Sequence, residues 1–201
     1  PAMFSEIFEQ RQVNNIYLDT PNLDYFHDNV VGRSDRKKIR IRWYGEASGA
    51  ISSPVLEYKI KRGELGWKFT FPLPAFELGP DFSIDSIHEL FLGADLEHDI
   101  KENLRLLQPV LLNNYQRKYF QSADRAYRIT IDWNFSYMQM GRQNLSFLES
   151  RNVSDGIVLE LKYGYETAGN HSAITTGLPF RISKNSKYVN GVTFFEPGLA
   201  L

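Results

Sequence analysis

Four segments of the chain alternate charged with apolar residues. In Lys38-Ile39-Arg40-Ile41-Arg42 the cations fall on one side of an extended backbone and the isoleucines on the other, because successive strand residues point to opposite faces. By the same rule Glu57, Lys59 and Lys61 share a face in Leu56-Glu57-Tyr58-Lys59-Ile60-Lys61. Arg128, Thr130 and Asp132 share one in the segment Tyr127 to Trp133, and Glu160 and Lys162 share one in Leu159 to Tyr163. One such strand is the ordinary half-solvated pattern. Four together, rich in Arg and poor in Ser and Gln, suggest a built surface. Arginine offers a rigid fork of donors that matches phosphate oxygens. If the sheet closes with its charged faces inward, the interior is a polar tunnel and helices cover the apolar outside. Surplus cations there would neutralise phosphate, and the few carboxylates would hold Mg²⁺ or Mn²⁺ through oxygen.

The elements that must position these residues follow from periodicity and punctuation. Pro1–Gln10, with Phe4, Ile7 and Phe8 at helical spacing, reads as the tail of a helix. Val13–Asp19 reads as a strand. Thr20-Pro21 reads as an N-cap and first helical residue, opening a short helix to about Asn29. Asp35–Tyr44, Pro54–Lys61 and Trp67–Phe71 read as strands, with a loop between Tyr44 and Pro54. Phe82 to Phe91 and Leu96 to Leu107 carry helical spacing inside an acidic stretch, which is expected to be a solvated face. Leu111–Gln121, Ala126–Tyr137, Leu145–Arg151 and Ile157–Tyr163 read as further strands, the last entered through the Asp155-Gly156 turn. Residues 170–190 read as loop and short helix. Many strands and few helices argue for an α+β fold built on an antiparallel sheet or barrel, and against a βαβ array.

Composition narrows the function. The chain has 201 residues, a formal net charge of −1 and no cysteine. The length suits a single domain spanning 1–201. The missing thiols exclude disulfides and cysteine chemistry. No apolar run is long enough for a membrane helix and no export signal is visible, so the expected location is cytoplasmic, with a membrane partner left open. A nearly neutral chain gives no reason to expect nucleic acid as partner. The four histidines (His27, His88, His98, His171) have no zinc-ligand spacing, no GxSxG elbow supports a serine hydrolase, and no P-loop is present.

The segments VNNIYLDTPNLDYF, RKKIRIRWYG, LEYKIKRGELGWK, NYQRKYF, YRITIDWN, LELKYG and SKNSKYVNGV occur in that order between Val13 and Val192. Together they resemble the VTC domain, the polyphosphate polymerase domain of vacuolar transporter chaperone proteins, in the CYTH-like or triphosphate tunnel metalloenzyme superfamily. The resemblance implies an antiparallel β-barrel tunnel, with attached helices, that binds ATP and polyphosphate or other short phosphate chains. It implies that Arg40, Arg42, Lys59 and Arg128 act on phosphate in catalysis. Lys68 and Arg117 would bind substrate, Lys184 and Lys187 would close over the phosphates, and Glu160 would hold the metal. Alternation independently puts Arg40, Arg42, Lys59, Arg128 and Glu160 on charged faces, but it does not place Arg117. Glu57, Asp132 and Lys162 share those faces and either bind ligand or pair with neighbouring cations. The family begins with a charged strand and then a helix, so a chain that starts within that helix is expected to lack the first strand. The expected function is metal-dependent phosphoryl transfer, with polyphosphate synthesis leading. An inorganic triphosphatase and a noncatalytic polyphosphate-binding module are the alternatives.

Overall fold

The computed structural model describes residues 3–141, 147–153, 156–164 and 181–200. Most of the molecule is one antiparallel sheet. Its strands are β1 (Phe4–Asp19), β2 (Arg36–Tyr44), β4 (Val55–Arg62), β5 (Leu65–Pro72), β7 (Gln108–Ser122), β8 (Tyr127–Met140), β9 (Phe147–Val153) and β10 (Val158–Tyr163). The order across the sheet is β10-β8-β7-β1-β2-β4-β5, with β9 paired to the far end of β8. Two short strands, β3 (Gly49–Ile51) and β6 (Phe76–Leu78), pair separately, so the loop expected between Tyr44 and Pro54 carries a strand.

The helix expected over Pro1–Gln10 is not formed; from Phe4 onward this segment is the first half of β1, paired with β7 from Phe4↔Ser122 to Gln12↔Gln116. The misleading spacing has a cause. The pairing shifts register between Glu6 and Phe8 and again between Phe8 and Arg11. Each bulge inserts a residue and breaks the period of two, so Phe4, Ile7 and Phe8 mimic a helical stripe.

The outer face of the sheet is apolar and covered. Ile16 and Leu18 of β1, Ile39, Ile41 and Trp43 of β2, and Leu56 and Tyr58 of β4 form one core. Helices α2 (Ile84–Leu92) and α3 (His98–Arg105) complete it through Ile87, Leu90, Phe91 and Leu104. Ser83 opens α2 with a reciprocal cap to Ser86, which satisfies otherwise orphaned N–H groups. On the opposite face, α1 (Asp24–Val30) and α4 (Lys187–Phe195) pack over Val13, Tyr17, Leu111, Tyr115, Phe135 and Tyr137. A 3₁₀ turn, Pro197–Ala200, follows α4.

The sheet is curved but not closed: among the described residues β5 and β10 are not hydrogen-bonded to each other. Lys68 of β5 and Glu160 of β10 nevertheless line the same cleft, so the two outer strands approach each other around it. The expected barrel is therefore a loose one. Trp43 is buried, but Trp67 of the edge strand β5 is 43% exposed and does not serve the core. His171, Asp155 and the stretch expected to hold a loop and short helix from 170 to 180 lie outside the described residues.

Candidate functional site

The charged face of the sheet forms a cleft of about 310 Å³. Strand register decides which residues meet there. Arg40 lies between Tyr17 of β1 and Glu57 of β4, and Lys38 stands beside Lys59, which stands beside Lys68. Alternation then brings Arg40, Arg42, Lys59 and Lys68 to one wall. Arg117 and Glu160 stand on the other wall, and Lys187 reaches over from α4.

Glu57 is the hub of the first wall. Arg40 donates from Nε and Nη2 to Glu57 Oε2 at 2.7 and 2.5 Å, and Lys68 Nζ donates to Oε1 at 2.5 Å. Arg42 Nη1 lies 3.5 Å from the same oxygen. Burial opposes the charge of Glu57, but Arg40, Arg42 and Lys68 outweigh it and hold the carboxyl down at about 2. Around this hub Arg40 Nη1 donates to Tyr17 Oη at 3.3 Å, Arg42 Nε to Asn15 Oδ1 at 2.9 Å and Arg42 Nη2 to Tyr115 Oη at 3.3 Å. Asn15 is itself fixed by donating to Asn113 Oδ1 at 2.9 Å.

Asp132 is the hub of the second wall. It is fully buried and accepts from Arg117 Nε and Nη2 at 2.5 and 2.7 Å, while Lys187 Nζ lies 2.7 Å from Oδ2. Lys187 also stands over the Tyr115 and Phe135 rings, 4.9 and 5.5 Å from their centroids. A bulge in β8 at Asn134, whose φ is 52°, lets Asp132 and Phe135 share a face although three residues separate them. Asn tolerates that left-handed backbone better than most residues.

The remaining charges are less committed. Glu160 is 43% exposed, with Lys162 Nζ at 3.6 Å and Arg117 Nη2 at 4.0 Å. Burial raises its pKa, yet Lys162, Lys59 and Arg117 outweigh this and the net shift is downward, so it is a carboxylate. Lys59 opens onto the water of the cleft and has no hydrogen-bond partner among the described residues. Desolvation, with Arg40 and Arg42 as neighbours, lowers its pKa to about 7. Lys38 donates to Ser186 Oγ at 2.9 Å, and burial with the same kind of cationic company lowers it to about 8.

Among the residues named from sequence, Arg40, Arg42, Lys59, Lys68, Arg117, Glu160 and Lys187 border the one cleft. Arg128 and Lys184 do not. Arg128 follows the face of Asp132 but stands exposed at the far end of β8, opposite Lys162 and Gln121. Lys184 turns away and donates to the Asn29 carbonyl at 3.0 Å, at the end of α1. Glu57 and Asp132, whose roles alternation left open, pair with neighbouring cations here. Sequence reasoning passed over Lys38, although it lies on the same cationic face as Arg40. It also passed over Asp19. That buried carboxylate, not the hydroxyl of Thr20, caps α1: it accepts from the backbone N–H of Thr20, Tyr25 and Phe26 at 2.7, 2.9 and 2.8 Å. Tyr188 Oη donates to it at 2.5 Å, which ties α4, and with it Lys187, to the end of β1.

A divalent ion fits this donor set in one way. Glu57 and Asp132 are engaged by cations, and no cluster of three metal-ligating side chains exists among the described residues. Glu160 is ionised, half-exposed and on the cleft wall. One carboxylate with the balance of ligands from phosphate and water is a usual environment for Mg²⁺.

Among the described residues no helix is long and apolar enough to cross a membrane. No curated protein matches the chain. Two solved structures are similar over most of it, each at 12% identity with a TM-score of 0.49. The PH1819 protein from Pyrococcus horikoshii OT3 covers 97% of this chain and 88% of its own. A candidate adenylate cyclase from Vibrio parahaemolyticus covers 94% of this chain and 85% of its own. The family model for the VTC domain matches residues 4–196, and the chain therefore belongs to the VTC domain family.

Proposed function

We propose that the cleft binds the phosphates of ATP and polyphosphate and transfers the γ-phosphoryl group of ATP to the end of a polyphosphate chain. Family membership supports a phosphoryl-related function of nucleotide or polyphosphate. The observation that carries the finer reading is the imbalance of charge: eight Lys and Arg side chains border a cleft lined by one carboxylate, Glu160. Even with Glu57 and Asp132 counted beneath them, five positive charges remain to be neutralised. Such an excess is costly without an anion and suits a string of phosphates.

Phosphoryl transfer asks a protein mainly to position groups and to stabilise charge. Arg40, Arg42 and Arg117 are pre-set by their carboxylates and tyrosines, so little reorganisation is needed when phosphate oxygens arrive. Mg²⁺ or Mn²⁺ held by Glu160 would supply charge neutralisation between phosphate oxygens. In the transfer, an oxygen of the terminal phosphate bonds to the γ-phosphorus, the bond from that phosphorus to the β,γ-bridging oxygen breaks, and ADP leaves. The acceptor is already ionised and needs no base. Water would need one, and of the three carboxylates in and beneath the cleft only Glu160 is not engaged in a close ion pair, which favours the polymerase over a triphosphatase.

Incubation with ATP and Mn²⁺, followed by separation of long polyphosphate from free phosphate, tests the reading. Long chains and ADP are expected. Free phosphate alone would assign a triphosphatase, and tight binding without turnover a binding module. Glu160→Gln should abolish metal-dependent turnover and leave metal-free binding intact.

A further inference from the structure

We propose that the cationic floor continues beyond the cleft, and that its outer row, Arg36 with Lys61, carries phosphates of a long chain that lie outside the reacting site. This rests on the function proposed above. The register of β2, β4 and β5 shows the floor as successive rows. Arg40 stands opposite Glu57, the next row is Lys38–Lys59–Lys68, and the outermost is Arg36–Lys61 with Gly66 beyond. From Arg42 to Arg36 the cations of β2 run for six residues, roughly 20 Å at the rise of a strand.

The rows differ in how they are balanced. The inner one contains Glu57. Neither outer row contains an acid, and like charges directly opposite each other destabilise a sheet. Among the described residues Arg36, Lys59 and Lys61 form no ion pair with a carboxylate. Arg36 donates once, from Nη1 to the Arg33 carbonyl at 2.6 Å, which leaves most of its fork available. A second hollow, also of about 310 Å³, is bordered by Arg36, Lys38, Lys59, Lys61 and Lys68. It shares Lys38, Lys59 and Lys68 with the cleft, so the two are continuous. A ligand spanning both meets cations without a break. The two outer rows offer no aromatic side chain on which a base could stack. The chemistry thus favours a bare phosphate chain over single-stranded nucleic acid.

The test measures affinity for tripolyphosphate and for long-chain polyphosphate over a range of salt concentrations. It compares the wild type, the double variant Arg36→Gln/Lys61→Gln and a charge-matched control, Lys101→Gln/Arg105→Gln, on the distant helix α3. Thermal melting verifies that all three fold. The Arg36/Lys61 variant should bind long chains about fivefold to tenfold more weakly, with the log–log salt slope reduced by about 1, and tripolyphosphate within about twofold of the wild type. The control should match the wild type for both ligands. Equal losses for short and long chains, no loss for either, or the same loss in the control would overturn the outer row. So would a single-stranded oligonucleotide that competes as well as long polyphosphate. Failure of the wild type to bind either phosphate ligand would instead overturn the proposed function.

Discussion

Glu57 and Asp132 each hold two or more cations at the cleft, but they are built from different materials. Every partner of Glu57 comes from neighbouring strands: Arg40 and Arg42 from β2 and Lys68 from β5. Their spacing is fixed by the hydrogen-bonded ladder itself. Asp132 takes Arg117 from the adjacent strand but Lys187 from a helix. That lysine is in place only because α4 is. The helix is held by the Tyr188–Asp19 hydrogen bond, by Lys38 on its capping Ser186, and by close packing at Gly191. A Cβ at Gly191 would overlap Leu111 and come 2.6 Å from Tyr137 Cδ1, so any larger residue must push α4 off the sheet. One wall gets its precision from secondary structure; the other depends on tertiary docking and is the easier one to perturb without unfolding the sheet.

The largest expected effect comes from breaking the sheet-built hub. Glu57→Gln leaves Arg40 and Arg42 buried without their carboxylate, which should cost about 3–5 kcal/mol of stability. The effect has a pH signature. Because the folded carboxyl titrates near 2 and its ordinary value is 4.5, its contribution is complete above pH 4.5 and disappears as pH falls toward 2. Denaturant melts at pH 7, 4 and 2.5 should show the gap between wild type and variant closing in acid. A gap that stays constant would mean that the lost charge is not the cause.

Cation removal is next in size. Arg40→Ala should weaken tripolyphosphate binding about tenfold or more, since a hydrogen bond to a charged group contributes about 1.5–3 kcal/mol. Lys187→Ala, on the wall that depends on docking, should cost less, about threefold to fivefold, because a lysine gives a point contact where arginine gives a fork. Calorimetric titration of both variants checks the order. If Lys187→Ala proves the more severe, the helix rather than the sheet dominates recognition.

Tyr188→Phe sharpens the comparison further by loosening α4 alone. It removes the hydroxyl donor from a carboxylate that burial already pushes up, and a net loss of about 1 kcal/mol is expected. Affinity for tripolyphosphate should fall about twofold to threefold through Lys187. In Tyr188→Phe/Lys187→Ala the second substitution should add less than it does alone. Full additivity would separate the Tyr188 bond from the placement of Lys187.

The same contrast explains what was legible in the residues. Arg40, Arg42, Lys59 and Glu160 could be placed because alternation within a regular strand is local information. Arg117 could not, since Tyr115, Arg117 and Tyr119 share a face with no simple polarity pattern; only the pairing with Asp132 reveals its role. The first half of β1 was misread because two bulges disturb its period. Lys184 and Lys187 are three residues apart in one motif, yet one reaches the Asn29 carbonyl and the other Asp132. What separates them is the start of α4 at Lys187 and its docking on β7 and β8, which is tertiary information. Asp19 escaped notice because Thr20-Pro21 offers the more familiar capping signal.

The smallest effect is a pH dependence of binding, and its sign is set by the uncapped middle row. In the free protein, desolvation and neighbouring arginines lower Lys59 to about 7 and Lys38 to about 8, from an ordinary 10.5. Phosphate oxygens in the cleft favour the ammonium forms and move both back toward that value. Between about pH 7 and 10 the complex then holds more protons than its separated parts, so affinity must fall as pH rises. A full proton per lysine would give a tenfold loss per pH unit. Lys59 is open to water, which screens the effect, and a loss of about threefold between pH 7.5 and 8.5 is expected at moderate salt. Lys59→Arg keeps the charge at every pH in this range and should flatten most of the dependence. Tripolyphosphate titrations above pH 7.5 avoid the ligand's own last ionisation. A flat wild-type profile, or one unchanged in Lys59→Arg, would show that Lys59 is already an ordinary cation before the anion arrives.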